Sequence, residues 1–153
     1  MRLSLFRPLA ALTLGLLAGA AGLLPAASAQ DLDDTLIRQA KEAFQKRDKD
    51  RLSALKTAAQ DARYPLAPWI DYWDLNSRLG EVSAPEVEAF YARWPGSYVE
   101  DRLRNDWLLE LGRRRDWAGV AREYPRFRMD DDREVTCYAL LAAQQSGQSV
   151  TDA

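Results

Sequence analysis

The sequence predicts an all-α protein, an α-solenoid or superhelix of antiparallel helical hairpins of the tetratricopeptide kind, C-terminally incomplete. Three observations carry this. Apolar residues recur at helical spacing, as in Val99, Leu103, Trp107, Leu108 and Leu111, which is the stripe an amphipathic helix buries. Turn signals fall near residues 48, 80, 116 and 147, so the units between them run 32, 36 and 31 residues, the length of a two-helix repeat. No strand-like alternation of useful length appears.

Four hairpins follow from these signals, the last incomplete. The first runs from about Asp33 to Arg47, turns at Asp48-Lys49-Asp50 and returns to about Ala59. Leu36, Ile37, Ala40, Ala43 and Phe44 form its inner stripe, answered by Leu52, Leu55 and Ala59. The second starts at Ala67, with Pro68 in the first turn where its missing N–H costs nothing, and reaches Leu79. It turns at Gly80 and resumes at Ser83-Ala84-Pro85-Glu86, a capping-box pattern, ending before Pro95-Gly96. The third spans Tyr98 to Tyr124. Gly112 and the basic Arg113, Arg114 and Arg115 read as its turn, the glycine supplying a left-handed exit and the cations meeting a helix C-terminus. Asp116 then caps a helix carrying Trp117, Val120, Ala121 and Tyr124, which Pro125 stops. The fourth begins near Asp131, where three aspartates favour a helix N-terminus, carries Val135, Tyr138, Leu141 and Ala142, and breaks at Ser146-Gly147. Its second helix is expected beyond Ala153, or another chain covers that face, so apolar surface is expected there. An Arg-Asp pair recurs at two turns, Arg47-Asp48 and Arg115-Asp116.

Residues 1–29 read as a signal peptide rather than as fold. Arg2 and Arg7 give a basic start, Leu9 to Leu24 is almost unbroken apolar sequence, and Ala27-Ser28-Ala29 is a small-x-small site, with cleavage between Ala29 and Gln30. Export to the periplasm follows, with no membrane attachment after cleavage and a superhelical domain over 30–153. Loss of the two leader arginines leaves 19 basic against 23 acidic residues, a net charge of −4. Such a balance argues against nucleic acid as a partner.

The chain has no histidine, so imidazole bases, triads and His-ligated metals are excluded. Metal-ligand spacings, phosphate-cradling glycine loops and paired redox cysteines are absent, and no cofactor is implied. Cys137, the one cysteine, reads as a small buried hydrophobe in a helix; an oxidising compartment would allow it to pair only with a cysteine outside this sequence.

Several stretches have a familiar wording: Y-P-L-A-P-W-I-D-Y-W (Tyr64 to Trp73), R-L-R-N-D-W-L followed by R-R-D-W (Arg102 to Trp117), and E-V-T-C-Y-A-L-L (Glu134 to Leu141). Together they resemble the N-terminal superhelical region of soluble lytic murein transglycosylases, over roughly Asp31 to Gln145. The resemblance implies a periplasmic parent enzyme that cleaves the MurNAc–GlcNAc β-1,4 bond of peptidoglycan without water, leaving 1,6-anhydromuropeptides. It implies peptidoglycan glycan strands as partner, held by a superhelical ring. In that family one Glu, usually followed by Ser, acts as acid and base in a lysozyme-like domain after the superhelix. This sequence contains no Glu-Ser pair, so no catalytic residue carries over and the chain alone is expected to be inactive. The competing expectation is a free-standing periplasmic repeat module that binds a partner without catalysis.

Three residue groups were candidates for chemistry. Among carboxylates, Glu86 and Glu88 point to different sides of a helix, Asp130, Asp131 and Asp132 suit a helix start, and Asp101, Asp106 and Glu110 read as surface partners of arginines. The aromatics Trp69, Tyr72, Trp73, Tyr91, Trp94, Trp107 and Trp117 offer faces for sugars, but helical spacing favours packing between hairpins; Trp69 and Trp73 read as core, and Trp94 as the least buried. The arginines Arg102, Arg104, Arg113, Arg114, Arg115, Arg122, Arg126 and Arg128 could steer an acidic glycan, but read as a solvated face balanced by Glu100, Asp101, Asp106, Glu110 and Asp116.

Overall fold

The computed structural model describes residues 29–147, with side chains from residue 35 onward. The predicted leader, residues 1–29, lies outside it except for Ala29, as do the residues after Gly147. The described residues form seven α-helices and no strand, none of them long and apolar enough to cross a membrane.

Helix α1, Ala29–Lys46, and α2, Lys49–Asp61, form the first hairpin. Their turn shows why so short a link suffices. Arg47 takes the left-handed conformation (φ 57°), the Asp48 N–H donates to the carbonyl of Ala43 at 2.9 Å and the Arg47 N–H to Phe44 at 3.1 Å. This closes the free carbonyls of α1. Asp48 then caps α2 by accepting from the Arg51 N–H at 3.0 Å. The turn between α5 (Tyr98–Arg114) and α6 (Trp117–Glu123) is built identically: Arg115 at φ 58°, Asp116 N–H to Leu111, Arg115 N–H to Gly112, and Asp116 capping Gly119. The repeated Arg-Asp pair is therefore a repeated turn.

Helix α3, Ala67–Ser77, carries Pro68 in its first turn, and a 3-10 turn at Leu79–Glu81 replaces the last predicted turn of helix. Helix α4, Ala84–Arg93, begins with the predicted capping residues, the Ser83 N–H donating to Glu86 at 3.1 Å. Arg78 also bonds Glu86, and this bond together with the Ser83 N–H holds its carboxyl at about 2. Helix α7, Arg133–Gln145, is capped by Asp132 through the Glu134 and Val135 N–H groups.

Packing follows chain order. Helices α1 and α2 meet each other and both meet α3; α3 meets α5; α5 and α6 meet each other and both meet α7. Trp69 of α3 faces Tyr98 of α5, and further along both helices Tyr72 and Asn76 face Asp106. Since the numbers rise together, α3 and α5 run parallel. By the same test α5 and α7 run parallel, with Asn105 against Asp132 and Gly112 against Tyr138. One apolar core joins α1, α2 and the start of α3, around Ala40, Leu52 and Ile70. A larger one fills the space from α3 to α7, around Phe90, Leu103, Leu108 and Val135. Trp73 and Trp94 pack against both. The outer side of α6 and α7, among the described residues, keeps an apolar groove of about 550 Å³ between Tyr124, Pro125, Leu140 and Ala143.

Two local expectations are corrected. Gly112 is not the left-handed exit of α5. It lies inside the helix, buried, where any Cβ would overlap the ring of Tyr138; the glycine lets α7 approach, and Arg115 takes the left-handed position. Cys137 is exposed rather than buried, because α7 turns Val135 and Ala142 inward and Cys137 lies off that stripe.

Candidate functional site

Two constellations dominate the polar chemistry. The first is internal. Arg104, only 1% exposed, sits in α5 between three carboxylates: Nη2 to Glu100 at 2.7 Å, Nη1 to Asp101 at 3.0 Å and Nε to Glu123 at 2.8 Å. Its guanidinium carbon lies 4.3 Å over the ring of Tyr91, within cation–π range. Further donors complete the cluster. Asp101 accepts the N–H groups of Arg128 and Met129, at 3.1 and 2.7 Å, Glu100 accepts that of Gly96 at 2.6 Å, and Arg126 reaches Glu123 at 3.3 Å.

Burial by itself would weaken the basicity of Arg104; its bonds to Glu100 and Glu123 outweigh that and hold it above its ordinary value. Burial likewise pushes the Glu100 carboxyl upward, but Arg104 and the Gly96 N–H hold it below the ordinary carboxylate value. Burial, with the Glu123 charge beside it, raises the Tyr91 phenol. The reading of this arginine and acid set as a solvated surface is thus corrected for Arg104, Glu100 and Asp101, all buried. The cluster ties α4, α5, α6 and the approach to α7 together, and each carboxylate is engaged by cations or backbone donors.

Most of the remaining acid candidates are also engaged, Asp131 being exposed. Glu110 pairs with Arg113 at 2.8 Å and Arg114 at 2.7 Å, Glu88 pairs with Arg126 at 2.7 Å, and Asp130 accepts from the Tyr124 hydroxyl at 3.2 Å. Two buried acids that the sequence did not single out do the same work elsewhere: Asp71 holds Arg93 and the Trp94 indole N–H, at 3.0 and 2.8 Å, and Asp74 holds Lys56 at 2.6 Å. Among the described residues no group of acids or cysteine is placed to hold a metal ion.

The second constellation lies along the parallel pair α3–α5. Trp69, Tyr72, Trp73 and Asn76 recur on one face of α3, and Tyr98, Arg102 and Asp106 on one face of α5, as i+3 and i+4 spacing requires. Ring centroids are 5.7 Å apart for Trp69 and Tyr98, 6.2 Å for Trp69 and Trp73, and 6.0 Å for Trp73 and Phe44 of α1. Trp69 and Trp73 are half-buried, not core as expected, while Tyr98 is 59% exposed. Beyond the rings the band turns polar. Asp106 Oδ2 accepts the Tyr72 hydroxyl at 2.6 Å and the Asn76 amide at 2.7 Å, and Arg102 approaches its Oδ1 at 3.9 Å. Burial and the bond to Asp106 keep the Tyr72 phenol protonated well above its ordinary range. The band opens into a polar groove of about 350 Å³ lined by Asn76, Asp106, Arg78, Lys49 and Arg113.

The other aromatic candidates serve the interior: Tyr72, Tyr91 and Trp107 are buried, Trp94 is half-buried and tied to Asp71, and Trp117 lies 6.2 Å from Tyr138. Tyr98 was missed. Its signal is its place right after the Ser97 cap of α5, with only polar residues four and eight positions on.

No protein-family model, no curated protein and no solved structure matches the chain.

Proposed function

We propose that this chain is the non-catalytic superhelical part of an exported protein like the soluble lytic murein transglycosylases, a scaffold that holds peptidoglycan glycan strands in the periplasm. The arrangement of its helices supports a solenoid: parallel α3, α5 and α7 one repeat apart, with two identical Arg-Asp turns. The observation that carries the functional reading is where the resembling words lie. Y-P-L-A-P-W-I-D-Y-W covers most of α3 and R-L-R-N-D-W the middle of α5, the pair whose joint face is the open aromatic and polar band. That most candidate carboxylates are held by cations or backbone donors suits a scaffold, since a catalytic acid needs a carboxyl free to give and take a proton.

The test is co-sedimentation of the purified chain with purified peptidoglycan sacculi, with the supernatant analysed for released muropeptides. Pelleting without release is the expected result. Release of anhydromuropeptides, or a chain that stays in solution, overturns it.

A further inference from the structure

We propose that the α3–α5 band is a carbohydrate-binding site, in which Trp69 and Tyr98 stack on the C–H face of a pyranose while Asp106, Asn76 and Arg102 bond its hydroxyl and amide groups. The site deepens the scaffold reading and rests on it.

The polar end of the band has unused bonding capacity. The Oδ2 oxygen of Asp106 is occupied twice, by Tyr72 and Asn76. Its Oδ1 has only Arg102, at 3.9 Å, beyond hydrogen-bond reach. The Asn76 amide gives one N–H to Asp106, and its carbonyl oxygen has no bond among the described residues. Two acceptors therefore face outward, and a carboxylate and an amide carbonyl both need donors from the ligand. Arg102, 42% exposed at its side chain, offers donors beside them. Arg102 and Asp106 together let this end of the band both give and accept hydrogen bonds.

The adjoining rings select its other half. Tyr98 is the most exposed of the large apolar side chains singled out along the chain, and it leans on the half-buried Trp69. Aromatic faces beside a few convergent polar groups describe a small-molecule or glycan site. From Tyr98 to Asp106 the helix rises about 12 Å, longer than one sugar ring, so successive rings meet the aromatic and the polar ends of the band. A proline-rich peptide would also find the rings, but proline has no N–H and could not satisfy the two acceptors.

The test uses the whole purified chain and chitohexaose, a neutral β-1,4-linked hexamer of N-acetylglucosamine, titrated by calorimetry and by tryptophan fluorescence. Binding is expected for the native chain, with affinity lowered at least tenfold by Tyr98→Ala and retained by Tyr98→Phe, which keeps the ring. Because Tyr98 is exposed, the Tyr98→Ala chain should melt as the native one does, so the loss reads the site and not the fold. No chitohexaose binding, equal binding by Tyr98→Ala, or displacement of the sugar by a proline-rich peptide overturns the assignment. Sacculus co-sedimentation run in parallel separates the two readings. If native and Tyr98→Ala chains pellet alike, the site falls and the scaffold stands; if the native chain does not pellet, the scaffold reading itself falls.

Discussion

Arg104 of α5 sits over the ring of Tyr91 of α4, its guanidinium carbon 4.3 Å from the ring centre, while the Tyr91 hydroxyl is buried with no hydrogen-bond partner among the described residues. The ring is needed there and the hydroxyl is not. Tyr91→Phe should therefore keep the cation–π contact and remove an unsatisfied polar group, raising stability by up to about 1 kcal/mol. Urea unfolding of the two chains measures this, and a loss of stability would show that the hydroxyl is satisfied in solution.

The charge of Arg104 answers three buried or nearly buried carboxylates. Arg104→Met keeps most of the apolar stem and deletes the charge. Breaking a buried pair from one side costs about 3–5 kcal/mol, so this variant should lose a large share of the about 5–15 kcal/mol that stabilises a domain. Glu88→Gln, at the exposed pair with Arg126, should change it by less than about 1 kcal/mol. Equal effects in denaturant titrations would mean the cluster contributes no more than a surface pair.

Glu100 sets a pH dependence. Its folded carboxyl binds a proton more weakly than the unfolded one, so its contribution is complete above the unfolded value near about 4.3 and is lost as pH falls through the lower folded value. Glu100→Gln should flatten the decline of the urea midpoint below about pH 4.3 while lowering the midpoint at neutral pH. A decline as steep as the native one would assign acid sensitivity to other groups.

Gly112 gives a prediction with an inverted sign. In an open helix Gly→Ala stabilises by about 0.5–1 kcal/mol. Here a Cβ would overlap the Tyr138 ring, so Gly112→Ala should destabilise by about 1–3 kcal/mol, and Gly112→Ala with Tyr138→Leu should recover part of it. Thermal melts of the single and double variants decide the matter.

The helices were legible because their signals are local. Asp48, Ser83 and Asp116 sit where a cap must be, and Pro68 and Pro95 sit where a helix can begin or end. What escaped was set by contacts from far along the chain. Arg104 sits among alternating charges that read as a wet surface, and it is Tyr91 and Glu123, from other helices, that enclose it, while the N–H groups of Arg128 and Met129 hold its partner Asp101. Gly112 reads as a helix end until Tyr138, far along the chain, is brought against it. Cys137 was readable: it falls off the Val135–Ala142 stripe, and its position, not its residue type, decided its exposure. The candidate band was half readable, since the spacing of Trp69, Trp73 and Asn76 marks one helix face, but no local signal places it beside Tyr98 and Asp106.

The central claim is a scaffold that holds glycan without cutting it, and its most direct test is pelleting with purified sacculi followed by analysis of the soluble fraction. The account predicts that the chain moves into the pellet, that Tyr98→Ala weakens this, and that no anhydromuropeptides appear. A native chain that remains in the supernatant, or one that releases such products, contradicts it.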